Sequence, residues 1–105
     1  MSLLNSFTAA KEDTKVSNEL KDFLTDFSIE VMPRTSSKIE SFTEILPKNT
    51  RVYIAHIEGV PIEEMVQTAK RISSEGFAVM PHFPARIIKN KNILEQWIKM
   101  YQDEA

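Results

Sequence analysis

The sequence predicts an α/β chain in which a leading helix is followed by three strand-helix units that pair into a parallel sheet. Three observations predict it. Short apolar runs begin near Ser28, Arg51 and Phe77, about 23 to 26 residues apart. Amphipathic segments follow them, and proline or glycine punctuates the joins. At 105 residues the chain suits one small domain, read here as a flexible segment over residues 1–15 and a folded unit over 16–105.

The elements can be justified in order. Val16, Leu20, Phe23, Leu24 and Phe27 recur at helical spacing and predict an amphipathic helix lying across one end of the core. Ser28 to Met32 reads as the first strand, ended by Pro33, which lacks an N–H and restricts the residue before it. Ser37 and Glu40 have capping-box spacing. Ile39, Phe42, Ile45 and Leu46 then predict a short helix that stops at Pro47 and Asn49.

The second strand is expected between Arg51 and Ile57, where Val52, Tyr53, Ile54 and Ala55 suggest a strand covered on both faces. Pro61 suits the first position of a third helix, whose apolar side is Ile62, Met65, Val66, Ala69 and Ile72, with Gly76 as its stop. Phe77-Ala78-Val79-Met80 is the third strand, closed by Pro81, and His82 to Arg86 form a loop. Asn90 or Asn92 can cap a last helix carrying Leu94, Trp97, Ile98 and Tyr101 on one side.

Composition excludes several functions. There are no cysteines, so disulfides, thiolate metal sites and cysteine nucleophiles are absent. The net charge of −2 provides no basic field for nucleic acid or an anionic membrane. No apolar run approaches the length of a membrane span, and a cytoplasmic location is expected. Two histidines about 26 residues apart make a poor metal site, and no nucleophile elbow is present.

The chemically suggestive residue is Glu30. A carboxylate among Ile29, Val31 and Met32, if buried, would be driven toward its protonated form and become a proton donor; alternation along the strand can equally turn it to solvent or to Arg34. In a parallel sheet the strand C-terminal ends share one edge, where ligands bind. Glu30, His56, Glu58, His82 and Arg86 all fall near or just beyond that edge.

Three stretches carry a resemblance. Ile29-Glu30-Val31-Met32-Pro33-Arg34-Thr35-Ser36 resembles the first strand of the methylenetetrahydrofolate reductase family. Val52 to Gly59 is similar to the second strand of a reductase-like branch, and Gly76 to Arg86, with its Pro81-His82 pair, to the third. The resemblance covers about Phe27 to Tyr101. It implies a (β/α)8 TIM barrel that binds FAD and reduces methylenetetrahydrofolate to methyltetrahydrofolate, within one-carbon metabolism and methionine biosynthesis.

On that resemblance Glu30 is the general acid that helps open the folate's bridging methylene before hydride arrives from reduced flavin, and His82 lies beside the flavin. His56 and Arg86 receive no role. The sequence supplies three strands of a fold that has eight, and the flavin-binding residues that the family places after later strands have no counterpart. The resemblance therefore implies the N-terminal portion of a flavin oxidoreductase, with a folate-type substrate once the barrel is completed. The alternative is a non-catalytic α/β module that joins a second copy or a complementary chain through its exposed sheet edges.

Overall fold

A computed structural model describes residues 16–105; the expectation of a flexible segment over residues 1–15 lies outside the described residues. The elements are α1 (Asn18–Phe23), β1 (Ser28–Val31), α2 (Pro33–Ser36), β2 (Arg51–Ile54), α3 (Ile62–Ser74), β3 (Ala78–Pro81) and α4 (Lys91–Glu104). Single 3-10 turns occur at Phe42–Glu44 and Ala85–Ile87. The strands form one parallel sheet in the order β1-β2-β3, so the α/β class and the parallel pairing expected from the spacing are both present.

Alternation along each strand divides the sheet into two unlike faces. Ile29 and Val31, Val52 and Ile54, and Val79 and Pro81 lie on the side that packs against the helices. Ser28 and Glu30, Arg51 and Tyr53, and Ala78 and Met80 are exposed on the other. This corrects the expectation that β2 is covered on both faces. Its run Val-Tyr-Ile-Ala is apolar by composition, but Tyr53 carries its ring and hydroxyl to the open side.

α3 organises the covered face. Met65, Val66, Ala69 and Ile72 project from one side of it and are buried together with Val52, Ile54, Phe42 and Phe77. Each large side chain fully withdrawn from water here contributes about 1.5–3 kcal/mol. α3 packs on β2, β3, α2 and α4, and it ends in a Schellman arrangement. In that arrangement the Phe77 N–H donates to Ile72 O at 3.4 Å and the Gly76 N–H to Ser73 O at 3.0 Å. Gly76 has φ +94°, a value that a side chain would strain, so the predicted stop is made by the residue best suited to it. α4 starts where Asn90 Oδ1 accepts from the Ile93 N–H at 2.9 Å.

Two predicted helices take other forms. α1 is six residues long and buries none of them; Phe23 is 82% exposed, so the helix does not lie across the core. Ser17 caps it, Asp26 leaves it with φ +58°, and Arg51 Nη2 donates to Asp26 O at 2.7 Å. A helix of fewer than two turns has too little surface to cover a sheet end.

The helix expected from Ser37 to Leu46 is also absent. Thr35, Ser36 and Ser37 each turn their hydroxyls back to the carbonyl three residues earlier, at 3.2, 2.9 and 2.8 Å, which closes α2 early and uses up the proposed capping serine. The chain beyond is instead held from α3. Arg71 donates to Ser36 O at 2.7 Å, to Glu40 O at 3.1 Å and to Ile39 O, and its guanidinium lies 5.1 Å over the Phe42 ring. Glu75, paired with Arg71 at 3.1 Å, accepts from the Phe42 N–H at 2.9 Å.

This arrangement sets an order of sensitivity. Phe42→Ala should cost about 3–5 kcal/mol in urea unfolding, and Arg71→Gln roughly 2–3 kcal/mol through its stranded carbonyls. Phe23→Ala should stay within about 0.5 kcal/mol. Equal losses at Phe42 and Phe23 would contradict the described packing.

Candidate functional site

The register brings one row of side chains together on the open face. Glu30 pairs with Tyr53, and Tyr53 with Met80, so a carboxylate, a phenol and a thioether stand side by side across three strands. All three are exposed, with Tyr53 at 38% and Met80 at 42%. The burial of Glu30 among its apolar neighbours is therefore not found: Ile29 and Val31 turn to the helices and Glu30 turns away. Its alternative partner is not found either, since among the described residues Glu30 and Arg34 form no ion pair.

His82 follows β3 at the C-terminal edge, and its N–H extends the ladder by donating to Ile54 O at 3.0 Å. It shares the parity of Ala78 and Met80 and is exposed. With strands about 4.8 Å apart and a rise of about 3.3 Å per residue, the backbones of Glu30 and His82 stand roughly 12 Å apart. The two residues singled out from the sequence thus share a face without being neighbours in register.

His56 has the opposite parity, yet lies close enough to His82 for their charges to repel. It has the parity of Val52 and Ile54, is half-buried, and stacks on Trp97 of α4 at 4.8 Å between ring centres with an interplanar angle of 29°. Its Nδ1 is buried with no hydrogen-bond partner among the described residues. Burial, and secondarily the charge of His82, hold its pKa below the usual 6.5. The contact that the structure gives the ring is its stacking on Trp97. Arg86 lies exposed in the 3-10 turn, and Glu58 is exposed in the loop after β2.

Sequence reasoning missed the exposure of Tyr53, while Tyr101 is buried as its place on the apolar side of the last helix implied. The signal for Tyr53 was its two-residue offset from the charged Arg51, on the side opposite Val52 and Ile54. Tyr101 lies in the core with Phe83 edge-on at 5.6 Å, its hydroxyl buried and unpartnered, and burial pushes its pKa up to about 12.

Two depressions flank the sheet. One of about 200 Å³ lies at the C-terminal edge between α2 and the β2–α3 loop, walled by Met32, Pro33, Ile57 and Val60, with Arg34 and Glu64 at its polar side. The other, about 600 Å³, lies at the opposite edge against Leu24, Phe27, Lys48 and Arg51, and neither depression is lined by Glu30, Tyr53, Met80 or His82. We place the candidate site on the open face toward the C-terminal edge, because parallel strands present their ligand-binding loops there. Among the described residues no group of three or more His, Asp or Glu could hold a metal ion, and no helix is long and apolar enough to cross a membrane. No family model matches the chain.

The two shifted groups bound the pH range of greatest stability from opposite sides. His56, depressed in the fold, favours unfolding once protons bind, so stability should be full above pH 6.5 and fall as the pH drops below it. Tyr101, raised in the fold, should contribute fully below pH 10 and lose its contribution as the pH rises toward about 12. Urea midpoints measured across pH should show both limbs, with His56→Gln flattening the acid one and Tyr101→Phe the alkaline one. Limbs unchanged in these variants would assign the effects to other groups.

Proposed function

We propose that the chain is the N-terminal part of a methylenetetrahydrofolate reductase-like flavin oxidoreductase, contributing the first three strands of a (β/α)8 barrel. One observation supports this reading above the others. The strands are ordered β1-β2-β3 with the helical layer on a single face, while Glu30 and His82 share the opposite face at the ligand-binding edge. A barrel winds in this consecutive way and keeps its helices outside; doubly wound sheets reverse strand order and cover both faces. The open face would then line the barrel interior.

The residues present suit part of FAD. The row Glu30-Tyr53-Met80, with His82 beyond it, offers a broad aromatic and apolar surface flanked by two groups able to hydrogen-bond a planar ring. The two glycines, Gly59 and Gly76, form no glycine-rich phosphate loop, so the pyrophosphate would rely on later strands of the barrel. The bound flavin, reduced beforehand by an electron donor, would supply hydride to a folate-type substrate. Glu30 would hold a proton at its carboxyl group and donate it to the substrate's bridging methylene region, and His82 would orient the ring system.

Exposed as it is, Glu30 has none of the dry surroundings that an acid near neutral pH requires. Closure of the interior by the remaining strands would provide them. Activity therefore belongs to the assembled barrel, and the three-strand unit is inactive alone.

A second reading rests on the edges. Ala78 and His82 donate into β2, so the N–H group of Val79 points outward along the free side of β3, while that of Phe77 is taken by Ile72 O. The unit can add a neighbouring strand there, as an assembly module would.

Titration with FAD, followed by flavin fluorescence, should give saturable binding once the remaining strands complete the barrel. In a barrel completed with the remaining strands, Glu30→Gln should retain FAD and lose most turnover. Unchanged turnover would remove Glu30 from the role of acid, and absence of FAD binding by the completed barrel would favour the assembly reading.

A further inference from the structure

We infer that the depression at the N-terminal edge of the sheet binds a small organic carboxylate with an apolar body. It lies at the other end of the strands from the candidate site and does not depend on the flavin reading. At about 600 Å³ it is larger than the depression beside α2 and falls within the range of small-molecule pockets. Its wall combines two chemistries. Leu24, Phe27 and Pro47 supply apolar surface, while Lys48 and Arg51 supply positive charge.

The apolar side is left wet by the fold. Leu24 is 49% exposed and Phe27 37%, although both belong to a periodic apolar run. A ligand whose body covers them withdraws that surface from water.

The charged side is equally unsatisfied. Arg51 Nη2 donates to Asp26 O at 2.7 Å, which holds the guanidinium at the wall, and its other N–H groups have no partner among the described residues. Lys48 is exposed and pairs with no carboxylate among them. The Asp26 carboxylate lines the same depression yet pairs with neither cation, so the wall carries more positive than negative charge. A carboxylate suits this pair, because a planar guanidinium offers it directed donors and the ammonium adds a second charge.

Two bends shape the opening. Asp26, at φ +58°, and Asn49, at φ +63°, are the non-glycine residues with positive φ among the described residues, and both line the depression. Each turns the chain into a strand, Asp26 before β1 and Asn49 before β2. The gap between the two strand entries is thus set by backbone conformation. A second copy of the chain could also cover Leu24 and Phe27, but it would have to desolvate Lys48, Arg51 and Asp26 together. A small carboxylate meets the cations and the apolar wall at once.

The test uses the full chain and three probes: 2-naphthoate, its uncharged analogue 2-naphthylmethanol, and acetate, which has the carboxylate without the rings. Calorimetric titration should show saturable binding of 2-naphthoate, with the alcohol and acetate each roughly tenfold weaker or more. Lys48→Gln and Arg51→Gln should each weaken 2-naphthoate roughly three- to tenfold and leave the alcohol unchanged, and Phe27→Ala should weaken both aromatic probes. Lys48 makes no hydrogen bond or ion pair among the described residues, so the urea midpoint of Lys48→Gln should match that of the wild type, which separates loss of the site from loss of fold.

Absence of saturable 2-naphthoate binding overturns the inference. Equal affinity for 2-naphthoate and 2-naphthylmethanol does so too, since the cations would then play no part, as does acetate binding as tightly as 2-naphthoate. Unchanged 2-naphthoate affinity in both Lys48→Gln and Arg51→Gln places the ligand elsewhere and overturns it. A wild-type dimer that Phe27→Ala dissociates would assign the apolar wall to self-association instead. The flavin reading stands or falls separately from all of these outcomes.

Discussion

One sheet with one covered face is the constraint from which the remaining geometry follows. α3 lays Met65, Val66, Ala69 and Ile72 on the strands, and that contact fixes which parity of each strand is buried. A shift of one residue in any strand would drive Glu30, Tyr53 or Met80 into the helical layer and turn Val31, Val52 or Val79 to water. The hydrophobic contact on one side thereby specifies, at no further cost, which polar and aromatic groups meet on the other. The candidate site is the reverse side of the core.

A polar contact then fixes what the apolar layer leaves loose. Between α2 and β2 the chain has no regular helix or strand to satisfy its carbonyls, and Arg71 meets three of them while Glu75 takes the Phe42 N–H. Phe42, which comes from this irregular stretch, is nevertheless fully buried. A guanidinium serves because it offers several donors in one rigid plane, which a lysine ammonium cannot reproduce. The site depends on this indirectly, since α2 and the loop ahead of β2 frame the two strands that carry Glu30 and Tyr53.

Much of this was legible from residues alone, and the limits have physical causes. The three strands, α3 with its Gly76 stop and α4 with its Asn90 cap were readable because their signals are local: periodicity, a positive-φ glycine and a side-chain cap. The placement of Glu30 and His82 toward one edge followed from parallel topology. Local signals misled where a distant group decided the outcome. Ser37 and Glu40 had the spacing of a cap, but Arg71, more than thirty residues away, claimed the backbone there. Val16 to Phe27 had helical periodicity without a surface to pack on. Tyr53 passed as core because composition does not reveal which face of a strand a helix will cover.

The consecutive strand order has a consequence for how the molecule is made. Each strand pairs with the one synthesised just before it, so no part of the sheet waits for a distant segment to arrive. A ribosome releasing this chain would deliver β1, then β2 beside it, then α3 and β3, each addition meeting a template already in place. Pro81 sits on the outward side of β3, where its missing N–H costs no bond to β2 and blunts the growing edge. Such a unit lengthens sideways during translation, each strand paired as it emerges.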